Sequence, residues 1–482
     1  MTLRPIRFGT SGWRGVIGEE FTLPRARAVV RGVARWLKET RQPLRVLVAH
    51  DSRPGGARLS SESSALLASE GVRVERVPGV TPTPVLARAV TGRRHGAGLI
   101  FTASHNPASY QGLKVFAATG GVLERAPTRR LEQLANGALR EGELERAGER
   151  ARGRPGARVE PVDLLPEYRA ALHLRLDCGG SARRPVRVYY DAMHGAGAGV
   201  LDRVLEDSGA RVRGSRLGRD ARFAGVGPDP VAAKLGDLGR AVAGGRGLRL
   251  GIATDGDADR YAAVDETGRV LSATEAVALL VDHLARTGRI HRGVAISVAT
   301  GSLVERVAQS HGLAVTRHPI GFKWLTAALH AGEADCAGEE SGGFVWAPHG
   351  FDKDGILAGA LLAEIVATTG APLGARLAEL EREHGPCHCG RTEGSADAGC
   401  IERLAVLLRD PPRRVGSARV VAVDRHDGLR LALADGFLML RASGTEPVVR
   451  VYAEAPSAAA LRARLGLGAR WLAGRSSGNL AN

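Results

Sequence analysis

Three stretches of this chain, LRVLVAHDSRP at 44–54, VRVYYDAMHGAG at 186–197 and GVAISVATGS at 293–302, carry the same pattern. Each is an apolar run of strand length that empties into a polar turn, and the next segment has the spacing and small residues of a helix. A glycine-led second strand follows in all three: GVRVERVPG from Gly71, GARVRGSRL from Gly209 and GLAVTRHPIG from Gly312. Each unit then reaches a third strand ending in a loop dense in polar groups, GLIFTASHNP at 98–107, LRLGIATDGDADR at 248–260 and EADCAGEESGGF at 333–344. Strands alternating with helices predict βαβ units and layered sheets, in which ligands gather at the carboxyl ends of strands. Three equivalent α/β units would present three different loops to one cleft.

Two segments read as joints. LREGELERAGERARGRPGARVE, from Leu139 to Glu160, is charged, glycine-rich and poor in large apolar residues, which fits a helix end and a linker. GPCHCGRTEGSADAG, 385–399, shows no periodic apolar face. Beyond it lies a smaller unit with a helix (IERLAVLLRD), alternating strands through 418–442, a loop, the strand VVRVYAEA and a last helix; the tail SSGNLAN is expected to fray.

At 482 residues the chain is long enough for about three domains or more. Its 44% hydrophobic and 24% charged residues exclude a disordered, collagenous or membrane-spanning class. The longest apolar stretch, Ile356 to Gly370, is cut by Glu364, and the start MTLRPIRFGTSG lacks an apolar secretory core, so cytoplasm is the expected location. A formal charge of +16 raises a nucleic-acid hypothesis, but the arginines are scattered and mixed with acids, and aromatics at 4% are too few for base stacking. Neither nucleic acid nor membrane is an expected partner. Only Lys38, Lys114, Lys234, Lys323 and Lys353 stand among the 67 basic residues, which makes those lysines informative. Five cysteines, Cys178, Cys336, Cys387, Cys389 and Cys400, lack C-x-x-C spacing and read as free thiols; His384, Cys387, His388 and Cys389 form a metal-capable group with crowded ligands.

Four loops could carry chemistry. Thr102–Pro107 exposes Ser104 beside His105 and within loop reach of Lys114, which suits an activated nucleophile, with a plain turn as the competing reading. In DGDADR, Asp255, Asp257 and Asp259 alternate with small residues after a strand, so three hard oxygens can face one Mg²⁺. An EF-hand would use the same acids with Glu266, but Arg260 stands where its loop needs glycine. Solvated turn carboxylates are the third reading. GEESGGF places Glu339 and Ser341 two residues apart, an acceptor and a donor suited to sugar hydroxyls, with Lys323 and Lys353 to either side in sequence. RASGTEP, followed by Arg450, offers hydroxyls, a flexible glycine and two guanidiniums for a phosphate, with a hairpin turn as the alternative.

FGTSGWRG, TASHNP, DGDADR, GEESGGF and RASGTEP, in this order from Phe8 to about Tyr452, resemble the α-D-phosphohexomutase superfamily. The resemblance implies three related α/β domains with mixed sheets and a C-terminal TATA-binding-protein-like α+β domain around a central cleft. The corresponding divisions are 1–150 with the phosphoserine loop, 160–270 with the metal loop, 271–383 with the sugar loop and 391–482 with the phosphate loop. It implies phosphoglucomutase/phosphomannomutase activity on hexose phosphates, with phosphoserine at Ser104, Mg²⁺ on Asp255, Asp257, Asp259 and the phosphoserine, and a hexose 1,6-bisphosphate as intermediate and activator. By the same resemblance Arg14, Lys114 and Arg260 lie beside the phosphoserine, and Lys114 and His105 help proton transfer. Glu339 and Ser341 read the sugar, and Arg441, Ser443, Gly444, Thr445 and Arg450 hold the phosphate that is not transferred. Where some members carry histidine this chain has Gly343, leaving Lys353 or His349 as replacements; GEES in place of the GEQS of phosphoglucosamine mutases favours glucose and mannose phosphates. Phosphoglucosamine mutase is the alternative, followed by a metal-dependent sugar phosphatase.

Overall fold

The computed structural model describes residues 4–144, 158–177, 185–444 and 447–474. Cys178, Thr445 and the tail from Ser476 therefore lie outside the described residues. The chain divides into two compact units, one of residues 1–270 with 342–373 and one of residues 271–341 with 374–482.

The three quoted strands become the centres of three equivalent sheets. In the first unit, Arg45–His50 lies between Arg73–Val80 and Ala97–Phe101, parallel to both. Strand Arg187–Asp191 lies in the same way between Arg211–Ser215 and Arg249–Thr254. The second unit repeats this with Gly293–Ser297 between Ala314–His318 and Cys336–Gly338. Antiparallel partners make the first two sheets mixed: Tyr110–Ala117 pairs with Ala97–Phe101, and Tyr261–Val264 with Arg249–Thr254. Central strands read as unbroken apolar runs because both of their faces are covered. Val46 and Val48 are fully buried with Leu37, Leu99 and Phe101 in the first core.

The second unit also holds a six-stranded antiparallel sheet. Its spatial order is His388–Ser395, Val448–Ala455, Gly436–Ala442, Leu429–Leu433, Ala418–Asp424 and Arg414–Val415. Helices Ala398–Arg409 and Ala458–Ala473 bury Leu404, Leu407 and Leu472 against Leu431, Leu438, Val449 and Val451 of this sheet. The expected class, three α/β units followed by an α+β unit, is the fold observed.

The joints are shorter than the sequence suggests. Helix Arg125–Leu144 runs well into the first, and Val159–Pro161 pairs in parallel with Arg73–Val80. The second contains strand His388–Ser395, whose apolar face is supplied by neighbours rather than by its own glycine-rich sequence. Among the described residues no single helix is long and apolar enough to cross a membrane. Helix Gly355–Thr369, the most apolar, is buried on nearly all sides; Asp354 caps it by accepting from the Ile356 and Leu357 N–H groups, and buried Glu364 accepts from the Asp177 N–H. A helix apolar all round belongs to a core.

Candidate active site

Strand Ala97–Phe101 delivers the chain into the serine loop and strand Arg249–Thr254 into the aspartate loop, both in the first unit. Ser104 has a left-handed φ of 53° and is buried. Such a backbone is costly for a non-glycine residue and persists only where its surroundings over-determine it. They do so here. The Ser104 N–H donates to Thr102 Oγ1 at 2.8 Å, and its Oγ donates to Asp255 Oδ2 at 2.7 Å. The Arg53 guanidinium donates to the carbonyls of Ser104 (2.5 Å), Asn106 (2.5 Å), Pro107 (2.7 Å) and Tyr110 (3.1 Å). Arg53 is in turn paired with Asp51 at 3.2 Å, both side chains being fully enclosed.

The aspartate loop abuts the serine loop. A Cβ on Gly256 would lie 2.5 Å from the Ser104 carbonyl oxygen and 2.8 Å from Pro228 Cγ, so only glycine allows this approach. Asp255, Asp257 and Asp259 are all buried, and one ligand-capable oxygen from each lies within 4.8 Å of the others. Lys114 Nζ donates to Asp257 Oδ2 and Asp259 Oδ2 at 2.5 Å each, and Lys353 Nζ reaches Asp259 Oδ2 at 3.1 Å. Asp257 Oδ1 and Asp259 Oδ1 have no hydrogen-bond partner. Two orphaned buried carboxylate oxygens beside a third carboxylate are the donor set of a hard divalent cation. The EF-hand reading fails because strand Tyr261–Val264 separates Glu266 from the triad.

The electrostatics match. Burial, then the charges of Asp257 and Asp259, push the Asp255 carboxyl far above the usual range, which marks acid charge that the protein alone leaves uncompensated. Burial also acts to raise Asp259, but Lys114, Lys353 and Arg260 outweigh it and hold that carboxyl far below the usual range. His105 Nδ1 lies 3.4 Å from Ser104 Oγ. Burial, then the Arg260 and Arg14 charges, keep its imidazole neutral by driving its pKa well down. Burial and the Arg260 charge likewise lower Arg14, whose NH1 donates to Asn106 Oδ1 at 2.8 Å. The backbone of Arg260 bridges to Gly343, so position 343 stands beside this cluster without a side chain. Of its two replacements, Lys353 belongs to the cluster. His349 instead faces Asp354 at 3.3 Å and packs edge-on against Tyr168.

The remaining candidates lie in the second unit. Glu339 is buried and accepts a 2.5 Å hydrogen bond from Ser341 Oγ, so acid and hydroxyl do share one side of their loop. Lys323, in the first turn of helix Phe322–His330, lies over the Trp324 ring, and thus the two lysines flanking this loop in sequence occupy different settings. Arg441 and Arg450 stand directly opposite each other on paired strands. Like charges in that position are unfavourable unless an anion intervenes. Arg441 Nε donates to Asp427 at 2.8 Å, and Arg450 Nε lies 3.5 Å from Glu393. The Ser443 N–H donates to the Val448 carbonyl at 2.8 Å, and a Cβ on Gly444 would meet nothing within 4 Å.

Sequence reasoning missed Asp51, Arg53 and Thr83. The Thr83 N–H donates to the Asp257 carbonyl at 2.9 Å, and its hydroxyl to the Asp257 carboxylate. The signal for the first two was present, since the HDSRP turn follows the first central strand at its carboxyl end.

A strained serine loop against a triple-aspartate loop, carried on a thrice-repeated α/β unit with an antiparallel C-terminal unit, defines a four-domain α/β hexomutase fold. Four models of phosphoglucomutase/phosphomannomutase match in order: alpha/beta/alpha domain I at 5–140, domain II at 166–268, domain III at 273–384 and the C-terminal domain at 391–465. The chain belongs to the phosphoglucomutase/phosphomannomutase family. It is 29% identical to a phosphoglucomutase/phosphomannomutase of Thermococcus kodakarensis, covering 96% of this chain and 98% of the relative. It is 31% identical to a phosphoglucosamine mutase of Frankia alni, covering 94% and 95%. A solved structure from Thermus thermophilus, provisionally named a phosphomannomutase, superposes with a TM-score of 0.85 at 32% identity over 98% of this chain and all of that one.

Proposed function

We propose that this chain moves a phosphoryl group reversibly between the 1- and 6-positions of glucose and mannose phosphates, through a phosphoserine at Ser104 and a hexose 1,6-bisphosphate. The observation that carries this reading is the Ser104 Oγ hydrogen-bonded to Asp255 beside the two unpartnered oxygens of Asp257 and Asp259. Asp255, Asp257 and Asp259 would hold Mg²⁺ together with the phosphoserine. Bound there, the ion neutralises negative charge on the transferring group.

In the first half-reaction the bond from Ser104 Oγ to phosphorus breaks while one from a sugar hydroxyl oxygen forms, giving the bisphosphate; in the second the other sugar oxygen–phosphorus bond breaks while the bond from Ser104 Oγ to phosphorus forms again. The neutral imidazole of His105 is the candidate to take the hydroxyl proton, and Lys114, which donates to Asp257 and Asp259, the candidate to give one to the oxygen set free. Arg14 and Arg260 stabilise the phosphoryl oxygens, and Arg53 keeps Ser104 in its reactive backbone conformation by clamping the loop carbonyls. Glu339, Ser341 and the lysines Lys323 and Lys353 read the sugar. Arg441, Ser443, Gly444, Thr445 and Arg450 hold the second phosphate, and the opposed guanidiniums of Arg441 and Arg450 support that role. The divisions 1–150, 160–270, 271–383 and 391–482 carry one such loop each, a reading supported by the extents of the four family models.

Glutamate at Glu340, in GEES, favours glucose and mannose over glucosamine. Phosphoglucosamine mutase is the second reading, favoured by the similarity to the Frankia alni enzyme. Comparing kcat/KM for the 1-phosphates of glucose, mannose and glucosamine tests the choice: preference for the first two is expected, and a dominant glucosamine 1-phosphate activity overturns it.

A further inference from the structure

In the second unit the structure gathers three soft or anionic ligands that the phosphoryl chemistry does not use. Cys389, the second residue of strand His388–Ser395, lies directly opposite Glu454 on the neighbouring antiparallel strand. Cys387, two residues earlier, shares that face, and the two sulfurs stand 3.5 Å apart. One ligand atom from each of Cys387, Cys389 and Glu454 lies within 4.8 Å of the others. The sequence-derived group of His384, Cys387, His388 and Cys389 is thus only half assembled: His384 turns to Glu383, and a carboxylate 65 positions beyond Cys389 supplies the third ligand.

The surroundings are built for this cluster. A Cβ on Gly301 would collide with both sulfurs. Glu454 is fixed by the Ser302 N–H at 2.8 Å and by the Ser302 hydroxyl, as the carboxylate of a metal site is commonly oriented by outer donors. Two thiolates about 2.3 Å from one tetrahedral ion lie about 3.8 Å apart, close to the observed sulfur separation. Cys387 and Glu454 are buried while Cys389 is partly exposed, which leaves an entry path.

We infer that Cys387, Cys389 and Glu454 form a site for one thiophilic divalent cation of the zinc class, distinct from the aspartate triad. On binding, both thiols lose their protons to solvent and two sulfur–metal bonds form, with the Glu454 carboxylate as third ligand and water completing the shell. The site ties the helix following Gly301 to the first strand of the C-terminal sheet.

The test is a titration of the full-length, reduced, Mg²⁺-saturated protein with Cd²⁺, followed by its sulfur-to-cadmium charge-transfer absorption, which the aspartates do not produce. Saturation at one ion per chain is expected, with release of two protons, reversal by chelator and competition by Zn²⁺. Cys387→Ser/Cys389→Ser should abolish the absorption, and Glu454→Gln should weaken Cd²⁺ by at least roughly tenfold. No absorption in the wild-type chain, or an equal one in the double variant, overturns the site. An unchanged affinity in Glu454→Gln overturns the three-ligand set. Closure of the pair to a disulfide by peroxide, without uptake of cadmium by the reduced protein, would make it a redox pair instead.

Discussion

Asp257 carries two different loads on its two oxygens. Oδ2 accepts from Lys114, whereas Oδ1 is buried without a hydrogen-bond partner. Asp257→Asn should therefore raise the Mg²⁺ needed for half-maximal activity and lower kcat by orders of magnitude, since neutralising charge acts chiefly in the transition state. Steady-state rates across a Mg²⁺ series check this, and an unchanged kcat at limiting Mg²⁺ would return the loop to a simple turn. Asp352 offers a second test. It is 4% exposed, neither oxygen has a hydrogen-bond partner, and burial pushes its carboxyl up to about 6. A folded-state value above the unfolded 3.8 means that the folded chain holds the proton more tightly, so stability falls as pH rises from about 4 to 6 and the penalty is complete above 6. Asp352→Asn should stabilise the protein by ~1–3 kcal/mol at pH 7.5, with the gain shrinking as pH falls through 6. Urea unfolding of both proteins at pH 7.5 and 5 measures it; an equal difference at both values would contradict the assignment.

At the scale of elements, the approach of two loops depends on one missing methyl group. Gly256→Ala would set a Cβ against the Ser104 carbonyl and Pro228, and backbone cannot give way as a flexible side chain can. We expect the two loops to separate and kcat to drop by roughly tenfold to a hundredfold with secondary structure retained; wild-type kcat with normal circular dichroism would show that the contact is not needed. The loops themselves were legible in the sequence because each packs its chemistry into six or seven consecutive residues. Arg53 was not legible as a clamp, since its meaning lies in four carbonyls more than 50 positions away. The strand His388–Ser395 has the sequence of a joint because its glycines and polar residues carry no alternation, and pairing with Val448–Ala455 supplies what the local sequence lacks. The pairing of Cys389 with Glu454 likewise depends on strand register, which no local pattern reveals.

At the scale of the whole molecule, the threefold repeat was legible since each central strand is an unbroken apolar run at a similar place in its unit. On the proposed function, turnover asks one cradle to hold either phosphate of the bisphosphate. Arg441→Ala should impair the reaction from both ends and let the intermediate escape, because a charge-assisted anchor worth roughly 1.5–3 kcal/mol is lost. Initial rates from glucose 1-phosphate and glucose 6-phosphate, with released bisphosphate followed by ³¹P NMR, report both effects. The central claim, that Ser104 carries the phosphoryl group through turnover, is tested most directly by loading dephosphorylated protein with ³²P-labelled glucose 1,6-bisphosphate, quenching, locating the label by peptide mapping and chasing it with unlabelled glucose 1-phosphate. The account predicts label on Ser104 that passes into hexose phosphate at the catalytic rate; label absent from Ser104, or leaving as inorganic phosphate as fast as sugar is converted, would contradict it.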